Sequence, residues 1–198
     1  MDSVHALVEA LVDSRGAPNS FDLAQIAPTL ARFGRDALVF ARRHDVRVVP
    51  LHHAERYVRA SPALTRMGVD VDAWPAPPAG LFVVEERSVY LRSRSPMTVA
   101  HEFGHVVDCA LGGGVYRSGI DPRVRALFSA ARAFVTPYAA TGLDEYFAES
   151  LRAFVEANDP ASVWPPATRD RLSRIDPAMC AYVDTLFAID FSESAPQQ

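Results

Sequence analysis

The run Thr98-Val99-Ala100-His101-Glu102-Phe103-Gly104-His105-Val106-Val107-Asp108 carries His-Glu-x-x-His inside a stretch of helical character. Four residues of α-helix turn through about 400°, so His101 and His105 project from one face, one turn apart. Two imidazoles at that spacing reach a single zinc ion at about 2.0–2.1 Å. Glu102 is not needed as a ligand and is placed to take a proton from water activated at such an ion. The chemistry these residue types suit is zinc-dependent hydrolysis.

A catalytic zinc site holds three protein ligands and keeps one position open. In the metzincin pattern the third ligand is a histidine six residues after the second. That position is Leu111, and Asp108 stands where the pattern has glycine, so that class is excluded. A glutamate from a second helix is the alternative, and Glu145, about forty residues downstream, is the best candidate. Glu149 follows at i+4 on the same face. It can accept the outward N–H of a ligating imidazole, His101 in the first instance, fixing its tautomer and raising its basicity. Two carboxylates among Phe147, Leu151, Phe154 and Val155 would be costly to bury without such partners. Asp108, three residues after His105, is a further acceptor of this kind. Tyr138, in the loop before Glu145, offers a phenol donor for the oxyanion formed when water attacks an amide, although a loop tyrosine also packs readily on a helix.

The elements that must position these groups follow from local signals. Ser95-Pro96 gives an N-cap and a first-turn proline, and Gly112-Gly113-Gly114 ends the motif helix. Before it, residues 81–84 and 89–91 read as a hairpin around the polar turn 85–88, whose strand edge can hold an extended peptide. Thr141-Gly142-Leu143-Asp144 resembles a capping box that opens the Glu145 helix, and Asn158-Asp159-Pro160 closes it. Upstream, residues 4–12 form an amphipathic helix and residues 14–19 break it. Residues 21–43 are helical, with Pro28 as boundary or kink. Residues 46–51 form a strand ending at Pro50, residues 54–67 are partly helical, and 70–80 are irregular. Downstream, Asp121-Pro122 opens a helix through Ala133, and short helices follow at 168–174 and after Asp176-Pro177.

At 198 residues, with 49% hydrophobic and 22% charged residues, the chain suits a single domain with a real core. The fold class is α+β: a mostly helical zincin-like domain with a small sheet before the active helix. N-terminal helices occupy about 1–45, the catalytic core about 46–158 and C-terminal helices about 159–198. A net charge of −4 with scattered arginines argues against nucleic acid. No apolar run approaches the ~20 residues that span a bilayer, which excludes a membrane helix. No signal peptide is visible, so the sequence as given reads as cytoplasmic unless it is a trimmed domain or is exported without a cleavable signal. Cys109 and Cys180 are too few for a disulfide framework, and Cys109 reads as a small buried apolar residue, with a Cys109–Cys180 bridge as the alternative. His5, His44, His52 and His53 lack partner spacing and read as structural or surface residues. Trp74 and Trp164 read as packing residues in proline-rich loops, and the phenylalanines of the Glu145 helix as core.

Ala100 to Asp108 with His-Glu-x-x-His, followed by Tyr138, Glu145-Tyr146-Phe147-Ala148-Glu149 and Ser150, resembles the anthrax lethal factor-like metallopeptidases and their relatives, the Pro-Pro endopeptidases. The resemblance covers roughly residues 80–155. It implies an endopeptidase with one zinc per chain held by His101, His105 and Glu145, acting on a protein or peptide substrate. It further implies that Glu102 is the general base, that Tyr138 assists the oxyanion, and that Glu149 supports a ligand from behind. Two other readings stand beside it. One is a regulatory protein in which a similar domain cleaves or binds a repressor or partner, although no attached helix-turn-helix is evident. The other is a toxin or effector protease with one host target.

Overall fold

The computed structural model describes residues 2–13 and 20–190; the break expected at 14–19 lies outside them. Apolar periodicity in the first quarter of the chain folds as α1 (Val4–Leu11), α2 (Ser20–Ala31) and α3 (Gly34–Arg43). The second helical region is interrupted at Arg32–Phe33 and not at Pro28, which sits inside α2. Pro28 and Ala24 both lie on the exposed side of that helix, so the carbonyl that loses its N–H donor is open to water. The turn comes where Gly34 takes φ +79°, a left-handed conformation without penalty for glycine.

Next come β1 (Arg47–Pro50), α4 (Tyr57–Ala60), α5 (Pro62–Met67), β2 (Gly80–Val83) and β3 (Ser88–Leu91). They build a three-stranded sheet in the order β1-β3-β2. β1 runs parallel to β3, and β2 pairs antiparallel with β3, Phe82 opposite Val89. Val48, Phe82, Val89 and Leu91 face the main core, whereas Val49, Val83 and Tyr90 face a smaller cluster under Tyr57 and Leu64. Both faces are covered, which is why these short strands read as continuous apolar runs instead of alternating ones.

The remainder is helical: α6 (Pro96–Leu111), α7 (Arg117–Ile120), α8 (Pro122–Ala130), α9 (Leu143–Phe154), α10 (Arg169–Ile175) and α11 (Pro177–Thr185). The architecture is α+β, mostly helical with one small sheet. Leu7, Leu38, Phe103, Phe147, Leu172 and Val183 belong to one buried cluster that draws on the N-terminal, central and C-terminal helices. No helix among the described residues is long and apolar enough to cross a membrane. Cys109 and Cys180 are both free, Cys109 buried.

Local signals were satisfied by partners other than the expected ones in three places. Ser95 stands at the N-cap of α6, but its hydroxyl donates to Asp159 Oδ2 (2.7 Å) and makes no cap bond. Gly142, not Thr141, caps α9. The Thr141 hydroxyl is taken by the Tyr138 carbonyl (2.7 Å), so the capping box does not form. α8 stops short of Ala133 because Phe134 folds back onto Phe128 and Tyr146, with ring centroids 5.3 and 5.7 Å apart.

The contact that matters most for the site is the crossing of α6 on α9. A Cβ placed on Gly104 would stand 2.9 Å from Ala148 Cα and 3.1 Å from the Ala148 carbonyl oxygen. The backbones approach as closely as they do because one residue has no side chain and the other has only a methyl. Gly104→Val is therefore expected to lower the unfolding free energy by about 2–3 kcal/mol or more through overpacking. Urea denaturation measures it, and an unchanged midpoint would show that the crossing is not tight.

Candidate active site

α6 presents His101 and His105 on one face, their rings 4.7 Å apart and nearly perpendicular at 89°. The first turns of α9 bring Glu145 and Glu149 against that face. His101 Nε2 lies 3.1 Å from His105 Nε2, and Glu145 Oε2 lies 3.1 and 3.5 Å from those two nitrogens. Ligand atoms about 2.0–2.1 Å from a tetrahedral ion stand about 3.3 Å from one another, so this triangle has the dimensions of a metal-ligand set. His101, His105 and Glu145 form a group able to hold a metal ion. Glu145 Oε2 is buried and faces the two imidazole nitrogens with no further hydrogen-bond partner, a position that a cation would satisfy.

The electrostatics fit a cation position. Burial alone would lower the His101 pKa, but the carboxylates of Glu145 and Glu149, one on each ring nitrogen, more than offset it and raise the pKa to about 10. Burial works against ionisation of Glu145 as well, yet the two imidazoles beside it bring its pKa down to about 2. Without a metal, then, a proton on His101 supplies the positive charge between the helices.

Glu102 points from α6 towards the sheet and is only 7% exposed. It sits directly beneath edge strand β2, where a Cβ on Gly80 would meet Glu102 Cγ at 2.6 Å and Thr98 Cγ2 at 2.8 Å. Desolvation raises its pKa, opposed by the charges of His101 and His105 and by a hydrogen bond from the Phe82 backbone N–H. Tyr138 lies on the opposite side of the site, its hydroxyl donating to Glu145 Oε1 (3.0 Å) and its ring 5.4 Å from that of His101. Burial and the adjacent Glu145 keep the phenol protonated far above neutral pH.

Glu149 is buried behind the triangle and accepts from His101 Nδ1 at 2.9 Å. Sequence reasoning missed what holds Glu149 itself. Arg152, 2% exposed, donates to both of its oxygens through Nε and Nη2, each at 2.9 Å. Thr136 adds a hydroxyl bond to Oε2 (2.6 Å). His101 and Arg152 hold the Glu149 carboxyl well below the usual carboxylate range despite its burial. An arginine three residues after a glutamate on an otherwise apolar helix face is the signal that could have found the pair; for Thr136 the sequence offers none.

Not every expected residue joins the site. Asp108 is fully buried, but its oxygens are taken by the Ser118 N–H (2.7 Å) and hydroxyl (2.5 Å), leaving His105 Nδ1 buried without a hydrogen bond. Asp108 therefore ties α6 to α7 and supports no imidazole. Trp74 and Trp164 do not pack: they are 52% and 63% exposed, and Trp164 lines the cavity beside His101 and Glu102. His5, His44, His52 and His53 lie outside the metal-ligand group.

Comparison with protein-family models gives no match, and comparison with curated proteins gives none either. The fold and paired helices do have a counterpart among solved structures. The chain is similar to the Pro-Pro endopeptidase PPEP-2 from Paenibacillus alvei, with a TM-score of 0.65, covering 91% of this chain and 99% of that one at 19% identity. At that identity the likeness establishes a shared fold.

Removing Arg152 would take from the buried Glu149 its bidentate partner and leave it with His101 and Thr136 alone. Arg152→Ala is expected to cost about 3–5 kcal/mol, and the Arg152→Ala/Glu149→Ala double variant less than the sum of the two single losses. Denaturant titration of the metal-free protein reads both, and strict additivity would show that the two side chains are not coupled.

Proposed function

We propose that the chain is a zinc-dependent endopeptidase of the zincin type, one that uses a glutamate as third ligand and is akin to lethal factor-like and Pro-Pro endopeptidases. The observation that carries this reading is the triangle of His101 Nε2, His105 Nε2 and Glu145 Oε2 at 3.1–3.5 Å, with Glu102 one residue from the first ligand. The solved protein that shares the fold is an endopeptidase, which supports the same conclusion.

In this reading His101, His105 and Glu145 hold one zinc ion per chain. Bound there, the ion supplies a Lewis acid and brings the ionisation of water into the neutral range. Glu102, as carboxylate, takes a proton from the attacking water and passes it to the departing amine nitrogen, returning to its starting form. Its desolvated setting raises its basicity towards the value such a shuttle needs. Tyr138, a neutral phenol, donates to the oxyanion that develops on the substrate carbonyl. Glu149, held by Arg152 and Thr136, keeps His101 oriented with Nε2 facing the site. The edge of β2 beside Glu102 suits an extended protein or peptide segment.

Zinc must displace the proton that His101 carries in the metal-free protein, since its pKa is raised to about 10. Binding near neutral pH is expected to release about one proton, with apparent affinity falling about tenfold per pH unit of acidification. Calorimetry in buffers of different protonation enthalpy measures this, and zinc uptake without proton release would contradict the assigned ligand set. Glu102→Gln is expected to keep stoichiometric zinc and lose hydrolysis by about 10²–10⁴-fold. Near-normal cleavage of peptides by that variant, or folded wild type that takes up no zinc by elemental analysis, would sink the mechanism.

A further inference from the structure

The cavity beside His101 and Glu102 encloses about 580 Å³, within the usual range for small-ligand sites and too small to admit a folded domain. The charged groups lining it are His101, Glu102, Glu149 and Arg152, all of which belong to the network already described. The rest of the lining is uncharged, with Pro78, Met97, Pro137 and Trp164 supplying the larger apolar surfaces. A charged side chain entering there would lose its hydration; His101, Glu149 and Arg152 are already paired with one another, and Glu102 is the base that the peptidase reading commits to the attacking water.

Trp164 reaches this cavity from the segment 158–167, which joins α9 to α10. Its indole is 63% exposed and the neighbouring Val163 is 92% exposed, so neither contributes much to the fold by burial. The segment is nevertheless well tethered. The Asn158 side chain closes its base, accepting from Ala167 N (2.9 Å) and donating to Ala167 O (2.8 Å). Asp159 receives the Ser95 hydroxyl (2.7 Å) from the start of α6 and the Ala161 N–H (2.9 Å). Inside the loop, Trp164 N–H donates to Ser162 Oγ (3.1 Å). Pro160, Pro165 and Pro166 further restrict the backbone. An exposed aromatic side chain on a tethered loop at the rim of a reactive cavity has the properties of a binding anchor: a large contact area offered at low entropic cost.

Resting on the peptidase reading, we infer that the 158–167 loop is a specificity element, and that Trp164 receives an uncharged apolar side chain flanking the scissile bond of an extended peptide. Pro78, Met97 and Pro137 complete the apolar surround. The loop governs which peptide binds; Glu102 and the metal-ligand set govern whether it is cut.

The test uses a library of short degenerate peptides, cleaved by zinc-loaded wild type, Trp164→Ala and Trp164→Phe. Wild type should favour apolar over Lys or Glu at one position next to the cut by about tenfold or more. Trp164→Ala should raise KM for those peptides by about tenfold, with kcat and zinc content nearly unchanged and the apolar preference flattened, while Trp164→Phe retains most of it. An unaltered cleavage profile and KM in Trp164→Ala would overturn the proposal and leave the peptidase reading intact. A binding arm separates the two ideas further. The chain has two tryptophans, so Trp74→Phe combined with Glu102→Gln leaves Trp164 as the sole indole reporter. A leucine-rich peptide should shift its emission and a lysine-substituted counterpart should not. Such a shift with no cleavage by wild type would support recognition while refuting the hydrolase, whereas leucine-rich and lysine-substituted peptides acting alike would overturn the recognition role.

Discussion

The site depends on how closely α6 can lie on α9. Each helix alone presents only part of the group able to hold a metal ion: two imidazoles one turn apart on one, and Glu145, with Glu149 one turn on behind it, on the other. Their atoms converge because Gly104 meets Ala148 with no side chain between the backbones, where even a Cβ would come within 2.9 Å of Ala148 Cα. A wider crossing would part Glu145 Oε2 from the histidine nitrogens, and the spacing suited to one small cation would be lost. Gly80 makes the same kind of close contact on the sheet side, where strand β2 rests on the Cγ of Glu102. Two glycines thus set how closely the histidine helix approaches the glutamate helix on one side and the sheet on the other.

Close approach brings a charge problem that the structure settles with a chain of pairings. Arg152 is buried against Glu149, Glu149 against His101, and His101 against Glu145. Buried ion pairs contribute little net stability once desolvation is counted, so the network is better understood as fixing orientation than as strengthening the fold. It fixes His101 from Nδ1 and leaves Nε2 for the shared position. His105 has no such support, since Asp108 is engaged by Ser118. Its ring is held by packing, with the Tyr116 ring centroid 5.6 Å away. The two imidazoles are therefore held by different means, one by hydrogen bonding and the other by contact.

What the sequence revealed and what it hid divide along the same physical line. His101, Glu102 and His105 were legible because helical spacing alone sets their relation, and Ser95-Pro96 and the hairpin were legible for the same local reason. Glu145 and Glu149 were legible from the cost of burying two carboxylates on an apolar helix. Arg152 went unread because an arginine on a helix ordinarily faces solvent, although its place three residues after Glu149 marked the pair. The errors were local rules overridden by tertiary partners. Thr141 gave its hydroxyl to Tyr138, Ser95 gave its own to Asp159, and the carbonyl that loses its donor to Pro28 lies on the exposed side of α2. Trp164 was misread because a tryptophan in a proline-rich loop resembles packing until the loop is seen to hold it outward.

That loop is attached to the same framework as the chemistry. Ser95, at the start of α6, is bonded to Asp159, and Arg152, behind the ligand supports, extends Nη1 to the Ala157 carbonyl (3.2 Å) and Asn158 Oδ1 (3.4 Å). The base of the Trp164 loop is therefore anchored to the helix that carries the histidines and to the arginine that holds Glu149. The loop that carries the indole is thus tied to both helices by hydrogen bonds at its base. Preorganisation of this kind is what a reacting centre needs, since displacement of a bound peptide by a fraction of an ångström would separate its carbonyl from the groups that act on it. The closeness of α6 and α9 thus fixes more than the His101, His105 and Glu145 triangle: it also sets where the Trp164 loop stands relative to that triangle.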